Sequence, residues 1–236
     1  MAKVENSNWH NSKRTNLGDK PPQFLVEKVL PVLRKRGDKS ILDVGYFNGR
    51  IIKYLAVETP FEVCGVDLPE ANEHMEKINK YLKLMDLPKA AFEADYSLPL
   101  KKILPVDSVD VSILWRVIHL LKPDELRNIL KRTVEVTKPA GLIIITARKF
   151  TDDIKFFKIS ETPWPGVMKG KLKIDSPERL YFDHFSDMQR YLEYLSSSVF
   201  LWQDLAPKSF VEHEPFKNIG DKTAEAPCWC VIAKVL

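Results

Sequence analysis

Short apolar runs alternate with amphipathic stretches along most of this chain. Seven apolar runs have the length of strands and lie at residues 41–44, 61–66, 90–94, 109–115, 142–146, 199–205 and 229–235. Helical spacing of apolar residues lies between them, at about 21–37, 49–57, 69–85 and 123–136, and a further helix is predicted from 177 or 186 to 195. Runs that are apolar throughout indicate strands that are covered on both faces.

The order of these elements predicts the fold class. Five strands that alternate with helices indicate a parallel sheet with helices on both faces, and the last two strands would complete a seven-stranded, doubly wound, Rossmann-like α/β sheet. Residues 1–20 are polar, and we expect a flexible N-terminal segment there. Residues 21–236 would form a single domain, in which the alternation of strands and helices stops at about 147–195.

Composition excludes several classes of protein. Hydrophobic residues make up 44% and charged residues 29%, as in ordinary soluble domains, and a net charge of +4 is too small to indicate a nucleic-acid partner. No apolar run reaches the roughly 18 residues of a membrane span, so no membrane contact is expected. The three cysteines, like His184 and His213, lack metal-ligand spacing, so we predict no metal. We expect a reducing, cytoplasmic environment.

The first strand runs into a glycine-bearing turn that ends at Gly49 and is followed by a helix. Such a turn presents backbone N–H groups and the positive end of a helix dipole to a ligand. The next strand ends at Asp67, and an acidic residue about 20 residues beyond a glycine turn is suited to hold ribose hydroxyls. The pattern predicts a nucleotide-like cofactor. Phe47 departs from it, because such turns usually have glycine there.

Taken in order, the motifs resemble those of class I S-adenosylmethionine-dependent methyltransferases. The matching segments are 41–49, 64–67, 93–96, 110–115 with His119 and Leu120, 138–142 and 230–235. Residues 21–33 and 49–56 are similar to the small-molecule branch that includes tellurite-resistance and thiopurine methyltransferases. The resemblance implies S-adenosyl-L-methionine as cofactor, a small-molecule methyl acceptor, an antiparallel last strand and a substrate cap at about 147–195. The cofactor-binding residues it implies, together with neighbours in the same motifs, are Asp43, Gly45, Tyr46, Phe47, Gly49, Asp67, Leu68, Asp95, Tyr96, Trp115 and Arg116.

Several of these residues also have structural interpretations. Asp67 could cap a helix, and Asp95 could cap a turn. His119 follows the fourth strand and is our candidate catalytic base, although a packing or capping histidine fits the pattern as well. The aromatic residues of the 150–194 region could form a cap for an apolar substrate or belong to an ordinary core.

Phe47 leaves two functions open. If its ring turns outward, it forms a hydrophobic wall beside a working methyl-transfer site. If its ring fills the site, the chain is a catalytically inactive binding or scaffold protein with a methyltransferase fold. A nicotinamide-dependent oxidoreductase is a third hypothesis, but the turn lacks the Gly-Xaa-Gly-Xaa-Xaa-Gly pattern that close approach of a pyrophosphate needs. No pattern in the sequence indicates the acceptor's identity or the oligomeric state.

Overall fold

The computed structural model describes residues 20–68, 72–94, 100, 103–150, 158–171, 179–196, 201–215 and 223–236. The strands are β1 Ser40–Val44, β2 Glu62–Asp67, β3 Ala91–Glu93, β4 Val109–Trp115, β5 Thr137–Arg148, β6 Lys158–Glu161, β7 Val167–Lys171, β8 Arg179–Phe182, β9 Leu201–Gln203, β10 Ser209–Pro215 and β11 Thr223–Lys234. The α-helices are α1 Leu30–Arg36, α2 Arg50–Glu58, α3 Asn72–Leu84, α4 Pro123–Val136 and α5 Phe185–Ser196. A π-helical turn, Leu25–Val29, precedes α1, and a 3₁₀ helix, Ile118–Leu120, follows β4.

An eight-stranded mixed sheet forms the centre of the domain. Its strand order is β10-β11-β5-β4-β1-β2-β3, and β9 pairs with one end of β11. Strands β1 to β5 are mutually parallel, whereas β11 runs antiparallel to β5. This arrangement confirms the predicted doubly wound fold and its antiparallel C-terminal strand. It contains one strand more than the seven predicted.

Helices cover both faces of the sheet because alternate strand residues point to opposite faces. Leu42 and Val44 of β1 belong to a core cluster that includes residues of α4 and α5. Ile41 directly precedes Leu42 and points to the opposite face, where it belongs to a second cluster with residues of α1 and α2. The apolar runs are therefore continuous because helices cover both faces of these strands, as the sequence predicted.

Other predicted boundaries need correction. The strand predicted at 142–146 is longer, because β5 begins at Thr137, and near its start Ala140 has φ +64° and the pairing with β4 shifts register. A helix beginning at 177 is wrong, because residues 179–182 form β8 and α5 begins at Phe185. The sequence also missed the separate antiparallel sheet β6-β7-β8 and strand β10, whose short runs contain many charged residues.

Four parallel strands end at the same edge of the sheet. The chain leaves β1 into the glycine turn, β2 at Asp67, β4 at Trp115 and β5 at Arg148. Ligands of open α/β sheets bind at the carboxyl edge of the strands. Strand β8 packs against the end of β5 and against the 3₁₀ helix, so the small sheet adds a wall beside this edge.

Candidate active site

A cavity of about 720 Å³ opens at the carboxyl edge of the strands. Nine of the residues predicted from the sequence line it, namely Asp43, Gly45, Tyr46, Phe47, Asp67, Leu68, Trp115, Arg116 and His119. The sequence analysis missed other lining residues, among them Arg50, Val117, Leu121, Glu125, Asn128 and Arg179. Arg50 directly follows the glycine motif and could have been found there. Arg179 has no local signal, because only the packing of β8 brings it to the cavity.

The glycine turn is held in a backbone conformation that other residues disfavour. Gly45 has φ +76°, and a Cβ atom at this position would lie 2.6 Å from Cγ2 of Val117. Gly49 has φ +72°, and its Cβ would lie 2.4 Å from the side chain of Ile78. Both positions thus need glycine for conformation and for space. Gly45 lines the cavity, whereas Gly49 is buried behind it and begins α2 as its N-cap.

Phe47 adopts the conformation that glycine usually supplies in such a turn. Its φ is +47°, and its side chain is 54% exposed. The ring centroid lies 5.0 Å from that of His74, on α3. The phenyl ring therefore lies at the rim of the cavity, as the outward alternative predicted, and the strained backbone costs about 1–2 kcal/mol.

Asp67 joins the end of β2 to the glycine turn. Its Oδ2 atom accepts the backbone N–H of Phe47 at 2.7 Å, and its Oδ1 atom accepts the N–H of Leu68 at 2.8 Å. A carboxylate oxygen can accept more than one hydrogen bond, so these two contacts do not by themselves exclude a ligand hydroxyl. The same contacts fix the position of the turn relative to β2.

Asp43 is a buried carboxyl group at the floor of the cavity. It is 1% exposed, and its Oδ2 atom accepts no hydrogen bond from the described part of the chain. Burial, followed by the nearby charge of Asp67, raises the pKa of Asp43 to about 8, although the positive charge of Arg50 opposes the rise. The carboxyl group of the ligand-free protein is thus largely protonated at neutral pH.

Other cavity-lining residues also bury polar atoms that make no hydrogen bond within the described ranges. They are the hydroxyl of Tyr46, Nε1 of Trp115 and Nδ1 of His119. A buried polar atom without a partner costs about 1–3 kcal/mol, and clusters of such atoms are found where a ligand or water completes the hydrogen bonds. Together with Asp43, these atoms indicate a polar ligand in contact with several walls.

His119 is 3% exposed in the 3₁₀ helix after β4. Burial lowers the pKa of His119 well below its ordinary value, and the positive charges of Arg116, Arg148 and Arg179 lower it further. The imidazole is therefore neutral at physiological pH. The structure brings this side chain to the cavity, as predicted, and adds a set of arginines that the sequence analysis had not connected with it.

The aromatic residues of the cap region pack mainly with one another. Tyr181, Phe182 and Tyr191 are buried in the core, and Trp164 packs against Tyr191 with ring centroids 5.8 Å apart. No described aromatic residue of this region lines the cavity. The aromatic residues that the structure describes therefore pack as in an ordinary core, and a substrate cap at about 147–195 stays a prediction.

Some predicted site residues lie elsewhere. Asp95 and Tyr96 are outside the described residues. His184 is exposed, with Nε2 3.6 Å from a carboxylate oxygen of Asp183, and His213 lies on β10.

Within the described residues, no cluster of three or more His, Cys, Asp or Glu side chains is arranged to hold a metal ion. None of the helices described here is both long and apolar enough to cross a bilayer.

Comparison with protein families identifies the glycine turn and the strands around it. Residues 41–141 match the model of a methyltransferase domain. The match assigns residues 41–141 to a methyltransferase domain family, and these residues contain most of the motifs that carried the predicted resemblance. This result confirms the predicted family and S-adenosyl-L-methionine as the family's methyl donor. The narrower assignment to the tellurite-resistance and thiopurine branch is not confirmed. No curated protein matches the chain in sequence.

Several solved structures share the fold of this chain. A protein from Pyrococcus horikoshii OT3 superposes with a TM-score of 0.63 at 16% identity, over 98% of this chain and 100% of that chain. A SAM-dependent methyltransferase from Methanosarcina mazei gives 0.59 at 16% identity, over 89% and 99%. The 1,6-didemethyltoxoflavin-N1-methyltransferase of Burkholderia thailandensis, solved with 1,6-didemethyltoxoflavin and S-adenosylhomocysteine, gives 0.51 at 15% identity, over 90% and 81%. At these identities the likeness is one of fold.

Proposed function

We propose that this methyltransferase binds S-adenosylmethionine in the cavity at the carboxyl edge of the sheet and methylates a small molecule there. The observation that carries the proposal is Asp43, a fully buried carboxyl group that lines the cavity and whose Oδ2 atom has no hydrogen-bond partner in the described chain. Burying such a group is unfavourable for folding alone, and perturbed carboxyl groups in cavities are typical of functional sites.

The residues of the turn fit the methyl donor chemically. Asp43 would hold its cationic amino group, directly or through water, and the N–H groups of the turn offer further donors. Asp67 would accept hydrogen bonds from the ribose hydroxyls through oxygens that already fix the turn. Leu68, 37% exposed, would cover the adenine ring beside Asp67. Trp115 would form the opposite wall, close to Phe210 at 5.4 Å between ring centroids.

The bound donor supplies an electrophilic methyl group on a sulfonium ion, which a nucleophilic atom of the acceptor displaces directly. The protein's contribution is chiefly to align the acceptor, because fixed orientation alone can supply much of the rate acceleration. His119 is neutral and can accept a proton or a hydrogen bond from the acceptor. Its low pKa makes it a weak base, so it suits an acceptor that ionises readily.

Two observations support a small molecule as acceptor. The cavity volume of about 720 Å³ lies in the usual range of roughly 300–1,000 Å³ for pockets that bind small ligands. The Burkholderia methyltransferase of similar fold was solved with 1,6-didemethyltoxoflavin bound. The N-terminal segment and the 147–195 region are proposed to cover the acceptor, and Arg179 is the described residue of that region that lines the cavity.

Isothermal titration with S-adenosylmethionine and S-adenosylhomocysteine tests the proposal. We expect both compounds to bind one site. We expect Asp67→Asn to lower the affinity for S-adenosylhomocysteine at least ten-fold, because the substitution removes the charge that would face the ribose. Asp86→Asn is the matched control: Asp86 is exposed, lies outside the cavity, and has φ +57°, which asparagine tolerates. Absence of binding by either compound, or equal effects of the two variants, would refute the proposal.

A further inference from the structure

Arg116, Arg179 and His119 line the cavity, and with Arg148 they form a basic wall in which the charges of the three arginines act on the histidine. Arg116 follows β4, Arg148 ends β5, and Arg179 begins β8. His119 lies in the 3₁₀ helix that packs against both β5 and β8. Four separate elements therefore bring these side chains together.

The backbone holds this group in a fixed position. Arg116 has φ +59°, and its N–H donates a hydrogen bond to the Thr146 hydroxyl at 2.9 Å. Strand β8 is anchored beside β5 by a bridge between Lys149 and Phe182, and the Phe150 N–H donates to the Phe182 carbonyl at 2.9 Å. Fixed cations of this kind bind anions with little reorganisation.

Burial separates the roles of the side chains. Arg116, His119 and Arg179 line the cavity, whereas Arg148 is only 6% exposed and lies behind them. His119 is 3% exposed, and its Nδ1 atom makes no hydrogen bond to any residue of the described ranges. An unpartnered nitrogen at the surface of a cavity marks a position where a ligand atom completes the hydrogen bonding.

Within the described ranges, the acidic residues that line the cavity are Asp43 and Asp67, near the glycine turn, and Glu125. Glu125 is exposed and accepts the Lys122 N–H at 2.8 Å as part of the cap of α4. Arg50, which follows the turn, adds a further cation to the lining. Guanidinium groups bind carboxylates and phosphates through two parallel hydrogen bonds, which gives both strength and orientation.

We infer that the methyl acceptor carries a carboxylate or phosphate group, which binds Arg116 and Arg179 beside His119. The inference rests on the proposed function, because it places the acceptor in the same cavity as the donor. Arg148, which is 6% exposed, adds positive charge near the histidine.

Binding of small anions provides the test. Protein with and without saturating S-adenosylhomocysteine is titrated with benzoate, with benzamide and with inorganic phosphate, at ionic strength held constant by sodium chloride. Benzoate and benzamide share a ring and differ in charge. We expect benzoate or phosphate to bind the wall and benzamide to bind at least ten-fold more weakly than benzoate.

Variants locate the anion. Arg179→Gln should lower the affinity for benzoate or phosphate at least ten-fold, while the affinity for S-adenosylhomocysteine changes less than about two-fold. Arg179→Lys should have an anion affinity between those of the wild type and Arg179→Gln, since an ammonium group keeps the charge and loses the bidentate geometry. Arg34→Gln, at an exposed position on α1, is the matched control and should bind as the wild type does. Arg148→Gln should also weaken the anions, and its thermal unfolding reports whether the buried position still folds.

The two proposals fail in different ways. Equal binding of benzoate and benzamide with no binding of phosphate, or anion binding that is unchanged in Arg179→Gln, would overturn the anionic acceptor and leave the methyltransferase intact. Anion binding without any affinity for S-adenosylhomocysteine would overturn the proposed function and leave the anion site standing.

Discussion

Removing the charge of Asp43 should stabilise the ligand-free protein while it weakens the cofactor site. The carboxyl group is buried, and its pKa is raised from 3.8 to about 8, first by burial and then by the charge of Asp67. At 1.36 kcal/mol for each pKa unit, holding the ionised group in the folded state costs at most about 6 kcal/mol. Structural relaxation and water penetration reduce such costs, so we expect Asp43→Asn to stabilise the protein by about 2–4 kcal/mol above pH 8.

The pH dependence follows from the direction of the shift. Below about pH 4 the carboxyl group is protonated in both folded and unfolded chains, and it costs nothing. As the pH rises from 4 toward 8, the unfolded chain loses the proton and the folded chain keeps it, so the stability of the wild type declines relative to the variant. Urea unfolding followed by circular dichroism at pH 5, 7 and 9 should show a gap that widens with pH, and Asp86→Asn should show no such gap.

Cofactor binding should reverse the sign of the effect. A cationic amino group near Asp43 favours the ionised carboxylate, so binding S-adenosylmethionine at pH 7 should release a proton from the wild type and none from Asp43→Asn. Titration calorimetry in two buffers of different ionisation enthalpy measures that proton. Equal proton release by both proteins, or a variant that is less stable than the wild type at pH 9, would refute this account of Asp43.

Three further predictions concern the turn and the sheet. Phe47→Gly should change S-adenosylhomocysteine affinity less than three-fold in calorimetry, since the ring is 54% exposed, and binding that appears only in the variant would establish an inactive wild type. Gly45→Ala should lose at least ten-fold in the same affinity because its Cβ would lie 2.6 Å from Val117, whereas Gly37→Ala, with equal backbone strain and open space, should cost only about 1 kcal/mol of stability. Hydrogen bonds from a lysine and two backbone N–H groups outweigh burial and lower the pKa of Asp110 to about 2, so Asp110→Asn should destabilise by about 2 kcal/mol at pH 7 in urea unfolding. That difference should shrink as the pH falls from about 4 toward 2, and a constant difference would contradict the assignment.

The central sheet could be predicted because its signals are local. Each buried strand is an apolar run, and Pro123 with two acidic residues marks the start of α4 as the structure has it. The β6-β7-β8 sheet has no comparable signal: its strands are only four or five residues long, and each contains at least one charged residue. Their pairing depends on contacts between distant segments, which periodicity in one segment does not report.

Some features of the candidate site could likewise be predicted from the sequence, and others required the structure. Asp43, Gly45 and Asp67 form a motif that is compact in sequence, and their spacing indicated a cofactor before the fold was known. The outward direction of Phe47 required the structure, because the sequence allowed the ring to lie inside or outside the site. The role of Arg179 also required the structure, because only the packing of β8 against β5 brings this residue to the cavity.

The distribution of charge along the cavity explains how one site could bind two small molecules without exchanging them. Under the two proposals, Asp43 and Asp67 favour a cationic ligand beside the turn, and the guanidinium groups of Arg116 and Arg179 favour an anionic ligand beside His119. If either ligand took the other's position, like charges would come together, which costs free energy in a partly buried site. His119 lies on the basic wall, where its unpartnered nitrogen can reach the acceptor rather than the donor.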